Sequence, residues 1–233
     1  MKEDILQRLN SKEFTVGIVG LGYAGLPIAL RFADAGFKVI GIDKDQAKVD
    51  TLNLKKNPFI HMDDTEVEGI LNKEFIATSN FSLSSQCDAI ILCLPTPIDS
   101  QNKPDLSYVN ATMLSLKPFH KAGQLIVLES TTYPGTTEEL LKPSIEDAGF
   151  TIGEDFFLAY SPEREDPGNV NHSTKSIPKV CAGVTTDCLE IAARLYSHAV
   201  DEVVEVSSTA AAEMSKLLEN IYRSVNIGLI NEM

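Results

Sequence analysis

The sequence predicts a doubly wound α/β fold with a mainly parallel sheet, followed by the start of a long helix. Two observations carry that prediction. Short continuous apolar runs, such as CDAIILCL at Cys87–Leu94 and QLIVL at Gln124–Leu128, recur at intervals and alternate with segments of helical texture. Such runs suit parallel strands covered on both faces, and strand–helix alternation is how a parallel sheet is connected. The first such unit, Phe14 to Asp43, is complete in itself: an apolar run, a glycine-rich turn, a helix-like stretch, a second apolar run and an acid.

In chain order, FTVGIV feeds into Gly20-Leu-Gly22-Tyr-Ala-Gly25 and a helix, and Phe37–Ile42 is the second strand. Residues 44–54 read as a helix, 55–64 as a loop containing Pro58, 64–72 as a short helix and Phe75–Ala77 as a strand. After the Cys87–Leu94 strand, Pro104-Asp105 opens a helix over Leu106–Leu116, and Gln124–Leu128 is again a buried strand. A helix over 135–148 ends near Gly149, Phe156–Tyr160 is a strand and 161–178 a long irregular loop. Lys179–Ala182, a helix over 185–198 and a final strand Asp201–Val206 complete the alternation. From Ser207 the chain is helical only, capped by Ser207 or Ser208. Met214, Leu217, Leu218, Ile221, Val225 and Leu229 form an apolar stripe, and Glu213, Lys216, Asn220 and Arg223 a polar one. The expected domains are 1–206 and 207–233, the second expected to be the start of a longer central helix.

The glycine turn points to a dinucleotide, in a Rossmann-type arrangement. Gly20 permits the tight turn, Gly22 lets backbone approach a pyrophosphate, and Gly25 lets helix and strand pack closely. The helix N-terminus adds amide donors and a positive dipole. Asp43 follows about 20 residues on, where a carboxylate accepts from a ribose 2′-OH and repels a 2′-phosphate. NAD is therefore favoured over NADP, although Lys44 and Lys48 lie close by.

Bulk properties narrow the partners. At 233 residues, 43% hydrophobic and 23% charged, the chain suits a soluble globular protein with a full core. The formal charge of −13 argues against nucleic acid or an anionic membrane. MKEDILQRLN is polar and has no signal-peptide core, so a cytoplasmic location is expected. Cys87, Cys93, Cys181 and Cys188 lack metal-ligand spacing and read as buried or half-buried free thiols, so no metal is expected.

Three loops following strands have unusual composition: Pro95-Thr96-Pro97, Glu129 to Gly135, and Ser161 to Gly168. Each alone fits a stiff polar surface loop. Ligands in open α/β sheets bind beyond the carboxyl ends of the strands, so all three should converge with the glycine turn on one site.

The strings GLGYAGLP, CLPTP, ESTTYPGTTEE, SPEREDPGN and AEMSKLLENIYRSVNIGLINE, in this order, resemble the UDP-glucose/GDP-mannose dehydrogenase family over residues 14–233. ESTTYPGTTEE with SPEREDPGN looks most like the UDP-N-acetylglucosamine or UDP-N-acetylmannosamine 6-dehydrogenase branch. The resemblance implies oxidation of a UDP-sugar C6 alcohol to a carboxylate with two NAD⁺ in turn, for polysaccharide precursor synthesis. A cysteine thiolate would capture the aldehyde as a thiohemiacetal, hydride transfer to the second NAD⁺ would give a thioester, and water would hydrolyse that thioester. It places Gly20, Gly22, Tyr23, Gly25, Asp43, Thr96 and Thr131 at the dinucleotide. Glu163, helped by Thr131, would orient or deprotonate the hydrolytic water, and Lys216 and Asn220 would stabilise the oxygen at C6. Glu163, Lys216, Asn220 and Arg164 would also contact substrate. Without the resemblance, Lys216 and Asn220 read as a solvated helix face, and Arg164 equally as a partner for Glu165 or Asp166.

The family's glycine-rich segment with the nucleophilic cysteine has no counterpart here. The expectation is an N-terminal portion, inactive by itself, that ends within the helix building a homodimer. UDP-glucose or GDP-mannose as substrate, and a non-catalytic NAD-binding module, remain open alternatives.

Overall fold

The computed structural model describes residues 1–59, 64–163 and 177–233. Strands β1 (Thr15–Val19), β2 (Lys38–Ile42), β3 (Phe75–Thr78), β4 (Ala89–Leu92), β5 (Gln124–Leu128), β6 (Phe156–Tyr160), β7 (Lys179–Gly183) and β8 (Val203–Glu205) form one sheet. Their spatial order is β3-β2-β1-β4-β5-β6-β7-β8. The first six run parallel; β7 is antiparallel to β6, and β8 is parallel to β7.

Strands β4, β5 and β6 are buried at every position, as their unbroken apolar runs require when helices cover both faces. Among the described residues those helices are α1 (Lys2–Ser11), α2 (Gly25–Asp34), α3 (Gln46–Asn53), α4 (Asp64–Leu71), α5 (Ser107–Leu116), α6 (Lys142–Glu146), α7 (Thr186–Tyr196) and α8 (Thr209–Glu232). Side-chain oxygens of Asp45, Thr185 and Ser208 cap α3, α7 and α8 by accepting from free amides of the first turn. None of the described helices is long and apolar enough to cross a membrane.

Two elements differ from the sequence expectation. The opening residues form α1, which buries Ile5 and Leu9, four apart on one face. Lys2 Nζ lies 2.8 Å from Asp187 and 3.1 Å from Glu190 on α7. The helix expected over 135–148 is instead a π-type turn at Thr137–Leu141 running into α6. Pro143 has no N–H to give the carbonyl of Glu139, so the regular ladder cannot continue through that point.

Helix α8 buries Thr209, Ala212 and Glu213. The apolar stripe expected on it lies outward, with Leu218, Ile221, Val225 and Leu229 all more than half exposed.

Candidate functional site

The carboxyl ends of the parallel strands meet at one edge of the sheet. Between β1 and β4 the strand order reverses, which is where open α/β sheets leave a crevice. A cavity of about 580 Å³ opens there. Its lining includes Gly20, Gly22 and Tyr23 after β1, Asp43 after β2, Cys93 and Thr96 after β4, and Glu129 and Thr131 after β5. Glu163 after β6 and Lys216 on α8 complete the parts relevant to chemistry. The three strand-end loops thus converge with the glycine turn, as their positions in sequence require.

Two of the three glycines of the turn have steric reasons, and the third keeps the surface open. Gly20 has φ +92°, and a Cβ there would strike the Cys93 carbonyl oxygen. A Cβ on Gly25 would strike the Gly20 carbonyl, so Gly25 sits behind the turn rather than in the cavity lining. Gly22 meets nothing within 4 Å and leaves its backbone open to an approaching ligand. With α2 starting at Gly25, these residues fit a pyrophosphate, and a dinucleotide fits the cavity.

Asp43 is 8% exposed. Its Oδ2 accepts from the Leu21 amide at 2.8 Å and from Lys48 Nζ at 2.7 Å, and Oδ1 accepts from the Asp45 amide at 2.9 Å. Burial disfavours its charge, but those three donors outweigh it and hold the pKa below the ordinary carboxylate value. Oδ1 keeps acceptor capacity for a hydroxyl donor. Lys48 is therefore spent on Asp43, and Lys44 Nζ stands 4.9 Å over the Tyr108 ring. Tyr23 is 62% exposed, its ring 5.0 Å from that of Phe59.

The β4 and β5 loops are tied together. Thr96 Oγ1 donates to the Thr131 carbonyl at 2.6 Å, and Ser130 Oγ accepts from the Leu94 amide at 2.9 Å. Beneath them Glu129, 1% exposed, accepts from the Tyr196 hydroxyl at 2.5 Å. Lys179 Nζ lies 3.1 Å from Glu129 and 4.0 Å from Glu163.

Residues 14–200 match the model for the NAD binding domain of the UDP-glucose/GDP-mannose dehydrogenase family. The chain belongs to that family. It is 40% identical over 220 residues to Protein CapL of Staphylococcus aureus, covering 94% of this chain and 51% of that protein. It is 37% identical to the UDP-N-acetyl-D-glucosamine 6-dehydrogenase of Pseudomonas aeruginosa, covering 95% and 52%. The solved UDP-D-ManNAc dehydrogenase of Pyrococcus horikoshii superposes with a TM-score of 0.88 at 31% identity, over 94% of this chain and 52% of that one. The chain spans about half the length of the curated relatives it matches.

Of the residues singled out from the sequence of this family member, Asn220 is half-buried one turn beyond Lys216 and does not line the cavity. Arg164 lies outside the described residues. All four cysteines are free, three buried and Cys93 half-buried. Burial, with Glu129 and Glu163 beside it, pushes the Cys93 thiol well above its usual value, so it stays protonated. Among the described residues no group of three potential ligands could hold a metal.

Sequence reasoning gave no role to Glu129, Lys179, Tyr196 or Glu213. One signal for the first pair is present: an acid directly after the all-apolar QLIVL run and a base opening KVCAG. Only the reversal of β7 brings the base to the carboxyl edge where the acid sits. Strand direction cannot be read from the apolar run itself.

Proposed function

We propose that this chain forms the NAD half of the active site of a UDP-N-acetylhexosamine 6-dehydrogenase, acting on UDP-N-acetylglucosamine or UDP-N-acetylmannosamine. The observation that carries it is one cavity lined by the glycine turn and Asp43 at one side and by Thr131, Glu163 and Lys216 at the other. Bound NAD⁺ supplies the hydride acceptor.

Gly20, Gly22 and Gly25 shape the pyrophosphate site, Asp43 takes the ribose hydroxyls, and Tyr23, Thr96 and Thr131 line the remainder. Glu163 orients or deprotonates water, a task suited to a carboxylate at the cavity wall. Lys216 stabilises negative charge developing on the C6 oxygen, with Asn220 next to it on the same helical face. Arg164 follows Glu163 and meets substrate charge. Cys93, held as a thiol, is no nucleophile, so the chain alone binds NAD without turnover. The boundary at 206/207 separates this NAD domain from α8, whose outward Leu218, Ile221, Val225 and Leu229 form a homodimer face.

The N-acetylated sugars are favoured because relatives bearing those names are 33–37% identical, whereas the GDP-mannose and UDP-glucose enzymes of solved structure are 24% identical. The test is NADH formation from a panel of UDP- and GDP-sugars, by this chain and by any longer product of its gene. The expected result is no turnover by the 233-residue chain. A longer product should have its highest kcat/KM with an N-acetylated UDP-sugar. Preference for UDP-glucose or GDP-mannose would overturn the substrate assignment.

A further inference from the structure

Below the β5 side of the cavity lies a cluster of ionisable side chains of which the proposed reaction uses Glu163 and gives Glu129, Lys179, Tyr196 and Cys93 no role. Glu129 is its centre. The Tyr196 hydroxyl from α7 donates to Glu129 Oε1 at 2.5 Å, and Lys179 Nζ from β7 lies 3.1 Å from the same oxygen. Cys93 Sγ, at the end of β4, lies 3.9 Å from Glu129 Oε2. Glu163, beyond β6, lies 4.0 Å from Lys179. Tyr160 of β6 and Cys181 of β7 are the other ionisable neighbours that feel the Glu129 charge.

Most of these groups do not titrate near neutrality. Burial pushes the phenols of Tyr196 and Tyr160 and the thiols of Cys93 and Cys181 upward, so all four stay neutral. Burial works against charge on Lys179, but Glu129 and Glu163 outweigh it and keep the ammonium. With both carboxylates ionised the cluster carries one net negative charge. Burial pushes the Glu129 carboxyl up to about 7; Lys179 opposes the rise and Glu163 adds to it. Glu129 is thus divided between its two forms near neutral pH.

The sheet order assigns this cluster to one half of the dinucleotide. Moving across the carboxyl edge from β2, one meets Asp43, then the glycine turn of β1, then Cys93 to Thr96 of β4, then Glu129 to Thr131 of β5. Neighbouring strands are about 4.8 Å apart, so these ends span roughly 14 Å. A ribose at Asp43 and a pyrophosphate at Gly22 leave the β4 and β5 ends to the nicotinamide half.

We propose that Glu129 sets the preference of this site for oxidised over reduced cofactor, its buried carboxylate supplying a counter-charge to the cationic nicotinamide ring. The proton balance is simple: NAD⁺ joins a site in which Glu129 is partly protonated, the ionised form is favoured, and the released proton goes to solvent. The ring of NADH is neutral and the pyrophosphate is common to both forms, so comparing the two isolates the ring charge. The inference rests on NAD occupying the glycine turn in the orientation given above.

The test is calorimetric titration of NAD⁺ and NADH into the 233-residue chain, near pH 7, in phosphate and in Tris. The dependence of the heat on buffer ionisation enthalpy gives protons released without any variant. NAD⁺ should release several tenths of a proton more per site than NADH, and its affinity should rise about tenfold between pH 6 and pH 8. Glu129→Gln, with folding verified by near-UV circular dichroism, should abolish both effects and weaken NAD⁺ at pH 8 by about tenfold, with NADH changed by less than about twofold. Equal proton counts for the two forms, or parallel weakening of both in Glu129→Gln, would overturn the role of Glu129. Absence of any NAD⁺ heat would overturn the site itself.

Discussion

Glu213 and Thr137 lie 76 residues apart, yet the Glu213 carboxylate accepts from the Thr137 amide at 2.9 Å and from its hydroxyl at 2.7 Å. The other carboxylate oxygen accepts from the Gly135 amide at 2.5 Å. Thr209 Oγ1 adds a bond to Glu138 at 3.0 Å. The start of α8, which carries Lys216, is thereby fixed to the segment that follows Thr131. Geometry at the Lys216 side of the cavity depends on this clamp.

Removing the clamp leaves the buried Thr137 amide and the half-buried Gly135 amide without their acceptor. Glu213→Ala should lower unfolding free energy by about 1–3 kcal/mol, the usual cost of such orphaned groups. Urea titration checks the total, and hydrogen exchange at Thr137 checks the location. Unaltered protection of the Thr137 amide in the variant would show that the clamp has no energetic role.

The raised carboxyl of Glu129 makes a signed prediction about stability. A folded-state value of about 7 against an ordinary 4.5 means that the native state holds an extra proton between those values. The associated stability is fully present below about pH 4.5 and is lost as pH rises through about 7. The loss is at most on the order of 3 kcal/mol, and the buried Lys179 pairing shares in it. In Glu129→Gln this slope should vanish, so the stability difference between wild type and variant should change with pH over that window. A difference that stays constant from pH 4.5 to pH 7 would contradict the assignment.

In the proposed NAD site, Asp43 and Lys48 together set the choice between NAD and NADP. In Asp43→Asn the ionised acceptor is gone and Lys48 loses its carboxylate partner, now 2.7 Å away. NAD affinity should fall about 10- to 100-fold, the worth of a charge-assisted hydrogen bond. NADP affinity should rise, because the freed ammonium favours a 2′-phosphate. Titrating both cofactors into the variant decides the matter; an unchanged NAD/NADP ratio counts against the pairing.

Much of the fold is legible in the sequence, for physical reasons. QLIVL and FFLAY read as strands because such short unbroken apolar runs suit parallel strands buried on both faces, and both match the observed bounds. GLGYAGLP is readable because Gly20 and Gly25 answer steric demands local to the turn, while Gly22 leaves its backbone open. The convergence of Thr96, Thr131 and Glu163 on one cavity follows from their places after parallel strands. Less was legible wherever distant segments decide. The antiparallel entry of β7, which creates the Lys179–Glu129 pair, is not legible because a short apolar run carries no mark of strand direction. The burial of Glu213 inverts the face expected of α8: its carboxylate accepts from the Gly135 and Thr137 amides, which offsets part of the cost of burial, although burial still holds its pKa above the ordinary value. Pro143 could have warned against a continuous helix over 135–148, since it lies near the middle of that span.

The most direct test of the central claim is NAD⁺ calorimetry on the chain and on Gly22→Val. A Cβ at Gly22 meets no protein atom within 4 Å, so the variant should keep wild-type stability within about 0.5 kcal/mol. The added side chain stands where the pyrophosphate must approach, and binding should be lost. Gly25→Ala is the structural counterpart, expected to destabilise the fold by about 1–3 kcal/mol because its Cβ meets the Gly20 carbonyl. A folded Gly22→Val that binds NAD⁺ as tightly as the wild type would contradict the placement of the dinucleotide at this turn.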